Sequence, residues 1–404
     1  MKKTIYLICF SLLGLGSVSC QKEKAMEIAS YGEAIAFTAR TPATKGVAPL
    51  NDLGDLAIQD FSVSAWYSPE GEEFGSDSKY YISNHRFGTL DGGTTWQGIS
   101  KDGDTKSSAP VYYPLSGSLS FFSYAPFIEI TEDSSVHIID KPDPAITSQL
   151  TDYLSGSPLI NYKPETDLRK QVDFVAATPV LNWEKENGLV PLSFSNHLTT
   201  RLRFYCNYTG TLNAEEEIFV TSIQLTNIIG SEYLYFTLEG DQMGYKWCDS
   251  ISPEDGTANM PLVSYRISND EIDEDDLNPA RLVNTKLSTP TDASHPNFLF
   301  VNDTQEGKMY VLPQSFSPRD GEHDETSDPT LFLTYQIRNS EGVAVEENIL
   351  KYDLRGTEAW RTGETVSYKI TIGVAARKEL YVTTVAINDW IDAENTQEPA
   401  ELLY

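Results

Sequence analysis

The feature that most limits what this chain can fold into is a period-two alternation of apolar and polar side chains. It recurs along most of the sequence, and no stretch holds a helical period beyond two turns. AIQDFSVSAWY is one example: Phe61, Val63, Ala65 and Tyr67 fall on one face of an extended strand and Trp66 on the other. SLSFFSYA, VDFVAATPVLNW, TRLRFYCNYT, IFVTSIQLTNI, EYLYFTLE, MYVLPQSF, TLFLTYQIRN, TVSYKITIGV and LYVTTVAINDW continue the series. A strand must pair its backbone laterally, so a chain of this kind has to build sheets. The 22 Tyr and 17 Phe are spread through these runs, which suits the facing layers of a sandwich. Connections rich in Gly, Pro, Asp and Ser supply the turns. No repeat of 20–50 residues occurs, which leaves solenoids and propellers without support. The expectation is an all-β protein of two tandem β-sandwich domains. Their boundary is set at the polar stretch EKENGL, Glu184 to Leu189, giving residues 33–188 and 189–404.

The N-terminus narrows the compartment. MKKTIYLICFSLLGLGSVSC has a charged start at Lys2 and Lys3, an apolar run from Ile5 to Leu15 and small residues before Cys20, the three parts of a bacterial export signal over residues 1–19. The run is too short to span a bilayer of roughly 30 Å. A cysteine after Val18-Ser19 reads as a lipid-attachment site at Cys20, although Ser17 stands where Leu is usual; an ordinary secretory peptide cut near Ser19 is the other reading. Residues 20–32 are polar, as expected of a tether between lipid and domain. The expected location is therefore the outer membrane, lipid-anchored, with the body at the cell surface. Loss of Lys2 and Lys3 takes the formal charge from −29 to −31. That balance repels phosphate backbones, so nucleic acid is not an expected partner.

Chemistry is sparse. His85, His137, His197, His295 and His323 are scattered without metal-ligand spacing, and no phosphate loop or nucleophile elbow is present. The acidic run Asp270–Asp276 lacks the spacing and glycine of an EF-hand loop and reads as solvated surface. Trp96, Trp183, Trp247, Trp360 and Trp390 offer sugar-stacking rings, but core filling is the commoner fate of strand tryptophans. Cys206 and Cys248 are the cysteines left after Cys9 and Cys20; export permits a disulfide between them, and two buried thiols fit the same runs equally well. Neither a cofactor nor a metal is implied, and an enzyme is the least supported class.

One segment stands apart. EAIAFTARTPATKG, residues 33–46, carries Ile35, Phe37 and Ala39 in strand alternation, followed by Arg40 and Lys45. With GVAPLNDLGDLAIQDFSVSAWY, SLSFFSYAPF, DFVAATPVLNW, VPLSFSNHLTTRLRFYC and the closing WRTGETVSYKITIGVAARKELYVTTVAINDWID, it resembles the fimbrillin-like (Mfa-like) proteins of Bacteroidetes, the pilins of type V pili. The resemblance covers most of the chain and rests on the order and spacing of segments rather than on one motif. It implies two transthyretin-like Greek-key sandwiches, outer-membrane delivery as a lipoprotein, and proteolysis after a basic residue. Ile35–Ala39 would then be a removable strand and Arg40 or Lys45 the cleavage points, with Lys45 where relatives more often carry Arg. The vacated groove would take a donor strand from another subunit, with the tail ENTQEPAELLY, through Leu402, Leu403 and Tyr404, as its candidate. Other fimbrial subunits, the outer membrane and host or bacterial surface ligands are the partners this implies. Retention of the strand would instead give an anchored or capping subunit. A surface lipoprotein that binds glycans or host ligands without polymerising is the alternative function.

Overall fold

A computed structural model of the chain describes residues 32–43, 46–49, 60–90, 95–103, 105–168, 170–248, 262–268, 285–287, 297–298, 301–302, 305–306, 309–316, 328–374 and 379–389. The expected export signal, Cys20, Lys45, the acidic run and the C-terminal tail lie outside them. The regular structure of the described residues is nearly all strand, in keeping with the all-β expectation. In chain order the first strands are β1 (Ala36–Ala43), β2 (Gly46–Pro49), β3 (Asp60–Ser68), β4 (Lys79–Gly88), β5 (Thr95–Asp102), β6 (Thr105–Ser108) and β7 (Ser118–Ala125). Next come β8 (Val136–Ile139), a one-turn helix α1 (Pro144–Thr147), β9 (Leu159–Tyr162), β10 (Val175–Ala177), β11 (Val180–Trp183), β12 (Val190–His197), β13 (Thr200–Thr209) and β14 (Glu217–Ile229). They are followed by β15 (Glu232–Glu239), β16 (Gln242–Trp247), β17 (Leu262–Ser268), β18 (Thr285–Lys286), β19 (Asn297–Phe298), β20 (Val301–Asn302) and β21 (Gln305–Glu306). The last are β22 (Met309–Val311), β23 (Thr330–Arg338), β24 (Ala344–Asp353), β25 (Glu364–Gly373) and β26 (Glu379–Asp389).

The first sheet runs β2-β1-β12-β10-β7-β3-β4-β5-β6, with β11 also on β7. β1 pairs with β5 as well, so β1, β12, β10, β7, β3, β4 and β5 close into a ring. Phe61, Val63, Ala65, Phe87, Trp96 and Phe121 fill its interior, and Tyr67 packs against that core as the alternation requires.

A second layer covers the outside of β3 and β7. It is a four-stranded sheet of order β16-β15-β9-β8, so strands from well-separated parts of the chain pair directly, Glu232 to Tyr162 through Tyr235 to Leu159. Between the layers lie Trp66, Phe122, Tyr162, Phe174, Phe236 and Trp247. Tyr162 stacks on Phe174 with ring centroids 4.1 Å apart. β7 is therefore buried at every position, which is why SLSFFSYA shows no polar face. Its serines are small enough for the double burial and are satisfied locally: Ser123 donates to Ser62 O, and Ser120 accepts from Asn182 N.

Apart from β20 and β21, which pair only with each other, the remaining strands form a sandwich of two facing sheets, β19-β13-β25-β26 with β22 on β13, and β17-β14-β23-β24 with β18 on β14. Here burial alternates along β23 from Leu331 to Arg338, as expected of sheets with one covered face. Leu202, Ile223, Tyr335, Trp360 and Ile370 lie in the shared core. The Trp360 indole N–H donates to the Tyr368 hydroxyl at 2.8 Å, so its one polar atom is satisfied inside that core.

The chain first passes from one assembly to the other at Leu198–Thr199, and returns to the first for β15 and β16. Leu198 N donates to Phe174 O of the first, while Thr199 O accepts from Gly363 N of the second. EKENGL lies earlier: Lys185–Asn187 make a 3-10 turn and Gly188, at φ 79°, reverses the chain from β11 into β12, which still belongs to the first sheet. Local polarity marked a turn there, while the sheet change is carried by pairing alone.

Gly156 shows how tightly the surface loops meet. Its φ is +86°, and a Cβ there would sit 2.4 Å from Gly75 C and O. Gly156→Ala is expected to cost about 1–3 kcal/mol in denaturant unfolding. A loss under about 0.5 kcal/mol would show that the two loops separate freely.

Candidate functional site

β1 is the strand that closes the ring. It lies parallel to β12, with Phe37 opposite Val190 and Ala39 opposite Leu192, and antiparallel to β5, with Ala36 opposite Gln97 and Thr38 opposite Thr95. Its N-terminal end is held by Val111–Tyr113: Ile35 N donates to Val111 O at 2.7 Å and Tyr113 N to Glu33 O at 3.0 Å. Alternation then sends Ile35, Phe37 and Ala39 inward, where they are 0 %, 0 % and 5 % exposed. Phe37 is the centre of the site. Its ring meets Phe87 at 4.7 Å, Phe121 at 5.3 Å and Phe61 at 5.8 Å, each edge to face. Burying Ile35 and Phe37 contributes roughly 1.5–3 kcal/mol each. Without β1 the ring would show an apolar slot flanked by the unpaired edges of β12 and β5.

Ile35, Phe37 and Ala39 thus come together as one buried row, on the strand the sequence indicated. The strand is longer than Ile35–Ala39, however, and Arg40 lies inside it rather than beyond its end. Pairing divides β1 at this residue. Residues up to Arg40 pair with β12 or β5, and Arg40 is opposite Ser193; from Arg40 through Ala43 the partner is β2. The Arg40–Thr41 bond therefore separates the part of β1 that seals the ring from the part that belongs to the β1–β2 hairpin. Sequence alternation ended at Ala39 because the hairpin half is held by backbone pairing, which needs no apolar period.

The remaining candidates do not gather at this site. Cys206 lies in the core of the second sandwich and Cys248 in a separate cluster with Leu159 and Tyr235, so the disulfide alternative is not what the structure holds. Burial pushes the Cys206 thiol up, away from reactivity. Trp96, Trp247 and Trp360 are 2 %, 7 % and 1 % exposed and form no sugar platform, Trp183 is half-buried with its indole N–H on Gly188 O, and Trp390 lies outside the described residues. His85 Nε2 meets Ala109 O at 3.1 Å, and burial holds this imidazole below its usual range. His197 Nδ1 lies 2.8 Å from Asp173. Among the described residues no group of three or more His, Cys, Asp and Glu side chains gathers to hold a metal, and no helix is long and apolar enough to cross a membrane.

No family model matches the chain, and no curated protein matches it. Solved structures do. A fimbrial protein from Bacteroides vulgatus ATCC 8482 aligns over 88% of this chain and 99% of its own at TM-score 0.50 and 15% identity. The tip fimbrial protein Mfa3 from Porphyromonas gingivalis, with C-terminal truncation, aligns over 88% of this chain and 99% of its own at TM-score 0.33 and 10% identity. At such identities the likeness is one of fold: the chain shares its architecture with a Bacteroides fimbrial protein, as the fimbrillin-like resemblance of its sequence implies.

Proposed function

We propose that the protein is a structural or accessory subunit of a cell-surface fimbria, delivered as a lipoprotein through Cys20 and assembled by strand exchange into the slot that β1 fills. The observation that carries the reading is the position of β1 as the single strand closing the ring, with three alternate side chains in its core and an arginine where ring pairing gives way to hairpin pairing. Cleavage after Arg40 frees the plug but leaves Thr41 onward with β2. The vacated edges then favour capture of another strand by backbone hydrogen bonds, with alternate side chains filling the pockets. Since the groove and the donated strand are different surfaces, the contact is head-to-tail and grows an open filament.

An Arg-specific protease applied to the purified full chain tests this. The expected result is a new N-terminus at Thr41 and an oligomer ladder, both lost in Arg40→Gln. Trypsin would reveal Lys45 as the working site by a start at Gly46. An unprocessed monomer after exhaustive digestion would sink the polymer reading.

One observation favours a second reading. The Arg40–Thr41 bond sits in paired backbone, opposite Ser193, Pro49 and Ala48, so a protease reaches it only after local opening. A subunit in which β1 stays in place would be a capping or anchoring component, or a surface lipoprotein that binds glycans or host ligands without polymerising. A reproducible hit of the unprocessed monomer on a glycan array would favour it.

A further inference from the structure

One sheet of the second sandwich ends on an unpaired edge. β24 pairs with β23 on one side, and among the described residues no strand pairs with its other side. The register to β23 runs unbroken from Glu346 to Asp353, while a bulge leaves Val345 without a partner. Bulges and charges are the usual devices that blunt such an edge. Here the bulge touches only its beginning and leaves the rest regularly extended. Leu350 is buried opposite Leu333 and marks the inward face. The outward face carries Glu347, Ile349 and Lys351, all exposed. Ile349 is 66 % exposed, more than any other large apolar side chain among the described residues. Glu347 Oε2 accepts from Gln336 Nε2 at 2.6 Å, and Lys351 has no ion-pair partner among the described residues.

The outward row is self-complementary: an acid and a base stand at equal distances on either side of an apolar centre. We propose that β24 is the docking surface for a second copy of this chain, whose own β24 adds antiparallel to it with Ile349 opposite Ile349. Glu347 of each copy then lies opposite Lys351 of the other, so two cross-strand ion pairs flank one apolar pair. The two sheets become one, and the contact, being isologous, closes at two copies. Charge selects this register. Moving the dyad one residue, to Asn348 or Leu350, sets Glu347 opposite Ile349 or Asp353. Moving it two sets Glu347 opposite Glu347 or Lys351 opposite Lys351. Half-steps bring outward residues opposite inward ones, and an in-register parallel pair sets every charge against its like. The contact does not depend on strand exchange, because β1 takes no part in it.

Sedimentation velocity of the uncut full chain across a dilution series tests this. Physiological ionic strength is used, where the repulsion of a formal charge of −29 is screened beyond about 8 Å. The expected result is a monomer–dimer equilibrium that Ile349→Asp abolishes. Lys351→Glu meets Glu347 twice in each dimer and should raise the dissociation constant roughly tenfold. Glu347→Lys combined with Lys351→Glu restores opposite charges at both pairs and should return the native affinity, which damage to the strand would not do. Thermal unfolding of the Ile349→Asp monomer, expected to match that of the native chain, verifies that the variant folds. A native chain that stays monomeric at every concentration overturns the proposal. A dimer untouched by Ile349→Asp lies on another surface and overturns it as well. Weakening by Lys351→Glu that the double variant fails to restore overturns the antiparallel register.

Discussion

Phe37→Ala should lower the stability of the uncut protein by about 3–5 kcal/mol, because it empties the centre of the ring and leaves Phe61, Phe87 and Phe121 facing a cavity. For an assembly of 150–250 residues this corresponds to a fall in Tm of about 6–20 °C by calorimetry. Thr38→Ala, one residue along the same strand but on the outer face, should change stability by no more than about 0.5 kcal/mol. The contrast separates loss of the plug from general damage to β1. If the two variants unfold alike, β1 is not the seal described above, and the slot loses its physical basis. The same substitution should ease local opening at Arg40, so Phe37→Ala is also expected to be cut faster than the native chain.

Phe236→Ala is expected to be comparably costly, at about 3–5 kcal/mol, and its effect should appear far away in sequence. Phe236 lies in β15, fully buried, with its ring 4.8 Å from that of Phe122 in β7. Hydrogen exchange should accelerate in β7 and β3 of the first ring as well as in β15. Protection of β7 that survives the substitution unchanged would mean that the four-stranded sheet rests on the ring without supporting it.

The strands themselves were legible. AIQDFSVSAWY gives the inward row of Phe61, Val63 and Ala65 and the opposite placement of Trp66, because alternation records burial on one face. The row Ile35, Phe37 and Ala39 was legible for the same reason. What periodicity does not record is which strand pairs with which. The meeting of β9 with β15, about seventy residues apart, leaves no local trace, since its energy comes from backbone bonds and from side chains such as Tyr162 and Phe236 that look the same in any buried strand. A second covered face also erases alternation where it occurs, as in β7. The extension of β1 beyond Arg40 was hidden because a hairpin half needs a partner and not an apolar period. The separate cores of Cys206 and Cys248 were equally out of reach, since exclusion of water draws a thiol into any core alike.

The pairing of Glu232–Tyr235 with Leu159–Tyr162 has a mechanical consequence. Two bodies joined by the Leu198–Thr199 crossing alone would swivel under load, and tension would straighten that joint before anything else gave way. Here the chain also crosses between β14 and β15 and between β16 and β17, and the β15–β16 pair it sends across is held to β9 by a hydrogen-bonded ladder. Pulling on one half therefore loads several backbone bonds of the shared sheet together, and twisting it turns the other half with it.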